Sequence, residues 1–374
     1  MLAIIDFMKP HKPDYSLISI IAILLVVGTF TLFNASSVRG ETRYQDPFYF
    51  LKRQALFLGI GFVLAFFAYM IHHGFWKKIS LLVILFGFGI MLAVFIPGVG
   101  AKLQGATRWI QIAGYMFQPI EFFKLCLIIY LASFFSGREG KRINSIGETV
   151  IPFFMIVAAT AAICYGQNSL GSMVLLLGIS GLMYFLAGLD FKYAIVFILV
   201  LMGIAFIFIK FTPFRMNRLE AFKNPDADPL GGGYQIRQLL ITIGSGGFSG
   251  VGLGHSRQKF EFLPESMSDS IFAIWAEETG FIGTTSLLIA IGLFFWRGMT
   301  IARNSREMYT KLLASGIVAW IVLQSLFNIA ANANLIPLSG IPLPFFSSGG
   351  SALLAVLVGC GILLNISRFT VSRR

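Results

Sequence analysis

Long apolar runs separated by short polar segments cover most of the chain. A transmembrane helix needs about 20 mostly apolar residues. Ten runs approach that length, at residues 16–36, 54–72, 79–97, 119–136, 148–165, 169–188, 192–210, 270–296, 310–331 and 349–367. They are continuous and do not alternate with a period of two, which excludes a transmembrane β-barrel. The pattern predicts an all-α polytopic membrane protein with about ten spans, forming one integral membrane domain over residues 1–374.

The longest polar interruption, residues 211–269, separates the seventh run from the eighth. It holds nine glycines between residues 231 and 254, and Tyr234–Ile243 has the periodicity of a short amphipathic helix lying at the membrane interface. Glycine lets backbone amides approach a phosphate closely, although the same composition also suits a mobile linker. We predict a glycine-rich extracytoplasmic catalytic loop over residues 211–269.

The composition agrees with a membrane protein. Charged residues make up 12% of the chain, against about 25% in a soluble domain. The cysteines Cys126, Cys164 and Cys360 lie inside apolar runs without metal-ligand spacing, so we interpret them as buried hydrophobic residues. The first run is too long for a signal peptide and is followed by further spans, so we do not expect a cleaved N-terminus.

The net charge of +12 is distributed unevenly along the chain. A cytoplasmic N-terminus assigns 15 of the 29 Lys and Arg residues to cytoplasmic tails and short loops, as the positive-inside rule expects. An even number of spans returns the C-terminus to the same side. The other 14 basic residues lie outside or near the outer face, which predicts an anionic ligand there. The alternative is that they are solvated loop charges.

Asp269 ends the polar loop directly before the eighth apolar run. Partial desolvation at this position raises the pKa of a carboxyl group toward that of a useful general base. Ser266, Ser268 and Asp269 also suit a helix start, so capping is the alternative role. The two roles do not exclude each other, and Asp269 is the predicted catalytic residue.

Further charged residues are predicted on the same outer side. Glu121 and Lys124 are three residues apart and share a helix face near the outer end of the fourth run. Lys124 is predicted either to hold a pyrophosphate or only to neutralise Glu121. Arg108 in the preceding loop can bind a phosphate through two hydrogen bonds, and Arg215 and Arg218 follow the seventh run.

Residues 337–351 are rich in proline and glycine and cannot form a regular helix. Non-helical backbone at membrane depth is tolerated where it is buried in protein or lines a cavity. We predict that this turn forms a cavity wall beside Asp269, with Pro342, Pro344 and Ser347 as wall residues.

Several common kinds of site are not indicated. The sequence has no P-loop, Ser-His-Asp pattern, HExxH motif, Cys/His cluster or dinucleotide fingerprint in a fitting context. Nucleotide-driven transport is therefore not expected, and no metal site can be assigned. In a membrane protein the positive charge does not indicate nucleic acid as a partner.

Several ordered motifs together resemble the SEDS family of shape, elongation, division and sporulation proteins, over nearly the whole chain. The motifs are Gly105–Trp109, Gln118–Lys124, Arg215-x-x-Arg218, Gly233–Gln235, Gly244–Gly247, Leu263–Asp269, Ala276–Gly280 and Pro337–Ser351. Within the family, residues 252–259 are similar to the division branch, FtsW, rather than to the elongation branch, RodA.

The resemblance implies an inverting peptidoglycan glycosyltransferase that polymerises lipid II at the outer face of the cytoplasmic membrane during cell division. Asp269 matches the essential aspartate of the family and is the expected general base. The undecaprenyl pyrophosphate is the leaving group. The expected substrate-binding residues are Arg108, Glu121, Lys124, Arg215, Arg218, Lys259 and Glu265.

The resemblance also implies partners and a location. The expected partners at the division septum are lipid II, the growing glycan strand, a class B penicillin-binding protein and other divisome proteins. The cofactor that the resemblance implies is a divalent cation, Mg or Mn. A lipid II flippase and a non-catalytic divisome scaffold are the alternative functions. The chain departs from the family pattern at Asn168, at Met267-Ser268 and at Ser348. None of these departures removes Asp269.

Overall fold

The structure, a computed structural model, describes residues 11–103, 106–112, 114–138, 140–210, 213–226, 231, 233–260 and 262–370. Gly105 of the first motif, Gly232 of the loop and the terminal basic residues Lys9, Arg373 and Arg374 lie outside these ranges. The described helices are α1 Tyr15–Tyr44, α2 Tyr49–Met70, α3 His73–Lys78, α4 Ser80–Ala93, α5 Pro119–Ser136, α6 Ile151–Gly166, α7 Leu170–Leu186, α8 Phe191–Lys210, α9 Pro213–Lys223, α10 Tyr234–Ser245, α11 Ile271–Arg303, α12 Met308–Asn332 and α13 Gly350–Ser367.

Each of the ten predicted apolar runs corresponds to one helix, so the all-α polytopic fold is confirmed. In the described ranges, seven helices are long and apolar enough to cross a membrane, and α4, α7 and part of α8 are shorter apolar helices. A helix satisfies its own backbone hydrogen bonds, which is why continuous apolar runs cross a bilayer in this form. The polar loop contains α9 and α10, and α10 extends two residues beyond the predicted Ile243.

The centre of the bundle is formed by α5, α12 and α13, whose apolar segments are the most completely buried of the spans. A helix that is apolar on all sides suits such a central position. Phe123 and Trp320 are fully buried there. The outer helices α1, α2 and α4 instead expose large apolar side chains such as Phe66 and Phe86 to the surroundings.

The helix α11 is interrupted at Gly280, whose φ of 63° and ψ of −158° are not helical. Its backbone pairs there with the loop that follows α10. The amides of Phe281 and Ile282 donate to the carbonyls of Gly247 and Phe248 at 2.9 and 3.2 Å. The loop therefore supplies hydrogen bonds that an uninterrupted helix would form within itself.

A small antiparallel sheet, which the sequence did not predict, precedes α5. Its strands β1 Gly100–Leu103, β2 Ala106–Ile112 and β3 Tyr115–Phe117 pair in the order β1-β2-β3. The sheet lies at the same end of the bundle as the C-terminus of α1 and the N-termini of α2, α11 and α13, because residues from all of them line one cavity. At the opposite end, Arg297 Nη2 lies 2.7 Å from Asp14 Oδ2.

Candidate active site

A cavity of about 530 Å³ opens at the end of the bundle that carries the sheet. Its walls come from α1, α2, β2, α9, the 265–269 segment and the turn before α13. The charged residues of its lining are the arginines Arg39, Arg53, Arg108 and Arg218 and the carboxylates Glu265 and Asp269. The structure thus brings together four charged residues that the sequence predicted for the site, namely Arg108, Arg218, Glu265 and Asp269.

The backbone of Asp269 is held by two amides from α12. Asn328 Nδ2 and Asn332 Nδ2 each donate to the Asp269 carbonyl at 2.8 Å, and Asn328 Nδ2 also donates to the Ile341 carbonyl at 2.8 Å. Residues four apart lie on one helix face, so one face of α12 presents both amides. Asn328 therefore links the Asp269 segment to the proline-rich turn.

The turn over residues 337–349 is fastened directly to the segment before Asp269. Ser347 Oγ donates to the Ser268 carbonyl at 2.6 Å and accepts from the Leu343 amide at 2.7 Å. Of the three predicted wall residues, Pro342 lines the cavity. Pro344 and Ser347 are buried in the same turn and are not part of the lining.

Gly340 in this turn approaches both the predicted base and a cavity arginine. A Cβ on Gly340 would lie 3.4 Å from Asp269 Oδ2 and 3.9 Å from Arg108 Nη1. Its φ of +68° is in the left-handed region, which glycine adopts without steric cost. Glycine at this position thus leaves room beside the carboxylate.

The surroundings of Asp269 favour its protonated form. Burial, followed by the nearby charge of Glu265, raises its pKa from 3.8 to about 6, while Arg218 and Arg108 act in the opposite direction. A carboxyl group with this pKa is largely ionised at neutral pH and can still accept a proton during a reaction. The geometry and the charge balance together make Asp269 a candidate general base.

The arginines beside Asp269 are suited to an anion. Burial lowers the pKa of Arg108 and of Arg218, and the Asp269 charge opposes this effect at both. Arg108 Nε is buried and has no hydrogen-bond partner among the described residues. Arg218 Nη1 donates to the Leu338 carbonyl at 3.0 Å, which ties α9 to the turn.

Glu121 and Lys124 do not line the cavity. Both side chains are 1% exposed, and Lys124 Nζ lies 2.7 Å from Glu121 Oε1. Lys124 Nζ also donates to Gln324 Oε1 at 2.7 Å, and Gln324 Nε2 donates to the Pro342 carbonyl at 3.0 Å. The contact seen is therefore the alternative that the sequence left open, in which Lys124 neutralises Glu121.

Arg215 and Lys259 also lie outside the cavity lining. Arg215 donates to the Asn168 carbonyl and lies over the Phe208 ring, 4.4 Å from its centroid. Lys259 Nζ donates to the Gly254 carbonyl. Their cationic groups contact the protein itself and do not line the cavity.

Two glycines of the loop, Gly246 and Gly250, have a packing role that the sequence did not indicate. A Cβ on Gly246 would lie 2.2 Å from the Ala276 carbonyl oxygen, and one on Gly250 would lie 2.2 Å from that of Glu278. Both glycines let the loop backbone contact α11, and neither lines the cavity. They therefore serve the interruption of α11 rather than phosphate binding.

The sequence did not assign Arg39 on α1, or Arg53 and Gln54 on α2, to the site, and Gln118 was noted only as part of a motif. The available signal was that Arg39 and Arg53 belong to the basic residues on the outer side, against the positive-inside rule. Their meeting with Asp269 depends on how α1 and α2 pack, which spacing along the chain does not give.

The fold and the cavity define a polytopic membrane protein with an arginine-lined site around one carboxyl group. The family model for FtsW, RodA and SpoVE, described as cell cycle protein, matches residues 15–372. The chain belongs to this family, which confirms the resemblance found in the sequence.

Individual relatives agree with this assignment. Stage V sporulation protein E of Bacillus subtilis (strain 168) is 39% identical over 97% of this chain and 99% of its own length. A probable peptidoglycan glycosyltransferase FtsW of Geobacter sp. (strain M18) is 36% identical over 95% of this chain and 96% of its own. Several further relatives carry the FtsW name, which supports the expected branch.

Solved structures share the fold. A chain from a study of structural coordination of polymerization and crosslinking by a peptidoglycan synthase complex superposes with a TM-score of 0.77, at 26% identity, over 95% of this chain and 98% of its own. Thermus thermophilus RodA superposes with a TM-score of 0.71, at 25% identity, over 95% of this chain and 97% of its own.

Proposed function

We propose that the protein is a peptidoglycan glycosyltransferase that polymerises lipid II into glycan strands at the outer face of the cytoplasmic membrane during cell division. The observation that carries this proposal is the position of Asp269, a carboxyl group with a raised pKa inside a cavity that four arginines line. Relatives named as probable peptidoglycan glycosyltransferases support the substrate class.

In the proposed reaction, the acceptor GlcNAc 4-hydroxyl attacks C1 of the donor sugar. A bond forms between the acceptor oxygen and C1, and the bond from C1 to the pyrophosphate oxygen breaks with inversion. Asp269 accepts the hydroxyl proton, and Arg108 and Arg218 neutralise the charge that develops on the departing undecaprenyl pyrophosphate. Because that leaving group is stable as an anion, a second carboxyl group acting as acid is not required, unlike in glycosidases.

A divalent cation stays a prediction from the family. The described residues contain no group of three or more His, Cys, Asp or Glu that would hold a metal ion by itself. Mg²⁺ is commonly bound by one or two carboxylates together with substrate phosphates, and Glu265 is the cavity carboxylate that would contribute to such a site. When bound, the ion would neutralise pyrophosphate charge.

We infer that both termini lie in the cytoplasm and that the cavity faces outward. The end of the bundle opposite the cavity carries basic residues of the tails and short loops, including Lys77, Arg138, Arg297 and Arg368. This distribution follows the positive-inside rule. A class B penicillin-binding protein is the proposed partner at the septum, supported by the likeness to a chain of a peptidoglycan synthase complex.

The proposal is tested by polymerisation of fluorescent lipid II by the purified protein with its cognate penicillin-binding protein. Moenomycin is added to silence classical glycosyltransferases. Asp269→Asn should abolish polymer, while Glu220→Gln, the same change at an exposed carboxylate on α9, should leave it intact. Equal polymer from wild type and Asp269→Asn would refute the assignment of the base.

The alternative functions make different predictions in the same system. A lipid II flippase would translocate lipid II without forming polymer, and a scaffold would retain partner recruitment in Asp269→Asn with no activity of its own. Absence of polymer from the wild-type complex, with translocation present, would replace the proposed function by the flippase.

A further inference from the structure

A second, apolar cavity of about 430 Å³ lies between α1 and α2. Val26, Phe30 and Phe33 of α1 and Leu51, Leu58 and Phe62 of α2 are among its lining residues, and Thr29 is its one polar residue. Val26 is 69% exposed and Phe62 is 54% exposed, so this α1–α2 groove opens to the outside of the bundle. In a membrane that side faces lipid.

The α1–α2 groove begins beside the arginine-lined cavity. On α2, Phe50 and Phe57 line the cavity, while their neighbours Leu51 and Leu58 line the groove. On α1, Phe33 lies six residues before the cavity residue Arg39, about 9 Å along the helix axis. The groove then runs toward the bilayer centre along antiparallel helices.

The two cavities together match a ligand with an anionic head and a long apolar chain. Arg39 and Arg53 contribute two guanidinium groups to the α1–α2 wall of the cavity, apart from Arg108 and Arg218 on β2 and α9. Arginine binds phosphate oxygens through two parallel hydrogen bonds. Two arginines can bind the two phosphates of a pyrophosphate, and a single groove accommodates a single apolar chain. A lipid with a pyrophosphate and one chain therefore fits this site better than a phospholipid, which has one phosphate and two chains.

We propose that the α1–α2 groove binds the isoprene units nearest the head of the acceptor lipid II, whose pyrophosphate is held by Arg39 and Arg53. This inference rests on the proposed function. The leaving pyrophosphate of the donor lies across C1 from the hydroxyl that Asp269 deprotonates, and the proposed reaction assigns it to Arg108 and Arg218. The acceptor's own pyrophosphate is separated from the attacking hydroxyl by its disaccharide, so it needs a second anionic subsite on another wall.

The groove acts mainly by position. A polyprenyl chain in a bilayer is already in an apolar medium, so its transfer into the groove gains little from the hydrophobic effect. Packing against Phe30, Phe33 and Phe62 instead restricts where the head can lie, which raises the local concentration of correctly placed acceptor. Blocking the groove should therefore raise KM several-fold and leave kcat nearly unchanged.

The direct test uses lipid II with a photoactivatable diazirine on the isoprene units nearest the head. This lipid II is bound to the Asp269→Asn variant, so that the crosslinking does not depend on turnover. Crosslinks should map to α1 and α2 residues of the groove, and excess undecaprenyl pyrophosphate should suppress them while phosphatidylglycerol does not. Arg39→Gln combined with Arg53→Gln should reduce them several-fold. Equal suppression by phosphatidylglycerol, or the absence of crosslinks on α1 and α2, would overturn the proposal.

A variant test complements the crosslinking. Thr29→Trp places a large ring inside the groove, and Ile23→Trp places the same ring on an exposed face of α1 that does not line it. Thr29→Trp should lose the crosslinks and raise KM, whereas Ile23→Trp should do neither. Unchanged crosslinking in a folded Thr29→Trp protein would contradict the proposal. Because crosslinking needs no turnover, it can fail while polymerisation by the wild type still supports the proposed function.

Discussion

The buried pair of Glu121 and Lys124 offers a sharp test of the structure, because sequence reasoning left open two roles for Lys124. If it holds pyrophosphate, Lys124→Met should fold normally and bind substrate weakly. The structure instead places Lys124 Nζ 2.7 Å from Glu121 Oε1, with both side chains 1% exposed. We therefore expect the main effect of Lys124→Met to be on stability.

The magnitude follows from what the substitution leaves behind. Without Lys124, the Glu121 carboxylate is an uncompensated buried charge, and breaking such a pair costs about 3–5 kcal/mol. Glu121 Oε2 already has no hydrogen-bond partner among the described residues, so no second donor offsets the loss. Gln324 Oε1 keeps Trp320 Nε1 as a donor at 2.7 Å, so it stays satisfied.

Removing both charges should cost much less than removing one. Replacing a buried ion pair by apolar residues of similar volume is often neutral or stabilising. In Glu121→Leu with Lys124→Met, we expect a free energy of unfolding within about 1 kcal/mol of the wild type. The double variant should thus be more stable than Lys124→Met alone.

The assay is unfolding in mixed micelles with increasing dodecyl sulfate, followed by tryptophan fluorescence, for the wild type, both single variants and the double variant. The coupling free energy from this cycle should be several kcal/mol, about 3 or more. Additive losses would refute the ion-pair reasoning. A stable Lys124→Met with a raised KM for lipid II would restore the pyrophosphate role.

Three further predictions concern the cavity. The kcat/KM for polymerisation should fall about tenfold per pH unit below pH 6 and be level above it, because Asp269 must be ionised and its pKa is raised to about 6. A kcat/KM that increases toward acid pH would contradict this prediction. Asn328→Ala should cost about 1–3 kcal/mol of unfolding free energy in the same micelle assay and lower kcat more than it raises KM, since the Asp269 carbonyl loses a donor. Gly340→Ala should cost about 1–2 kcal/mol of unfolding free energy at φ +68° and lower kcat, and a variant as stable and as active as the wild type would argue against a special role for Gly340.

The sequence predicted the spans well because a bilayer imposes one simple requirement. About 20 apolar residues must form a helix to cross it, and this requirement is local. A second local signal, the amphipathic periodicity of residues in the polar loop, predicted α10. Neither signal indicated the interruption at Gly280, because that feature depends on the loop backbone of Gly247 and Phe248 reaching α11 from another part of the chain.

The site was predicted less completely, because the spacing of residues along a helix shows which side chains share a face but not whether that face points to the core or to the cavity. The spacing of Glu121 and Lys124 correctly placed them on one face, but that face points to Trp320 and Gln324 in the core. Arg108 reaches the cavity from β2. The strands of this sheet are too short for their pattern of apolar and polar residues to predict them from the sequence. Conversely, Asp269 was predicted from its position at the end of the loop.

The charge balance of the cavity links substrate binding to the strength of the base. Arg108 and Arg218 lower the pKa of Asp269 against the effects of burial and Glu265. A pyrophosphate bound to these arginines adds negative charge beside Asp269 and takes up part of their positive field, so it raises the pKa of the carboxyl group further. Asp269 is thus a stronger base when the donor is present than when the cavity is empty. The acid limb of kcat, which reports the loaded enzyme, should therefore lie at higher pH than the limb of kcat/KM.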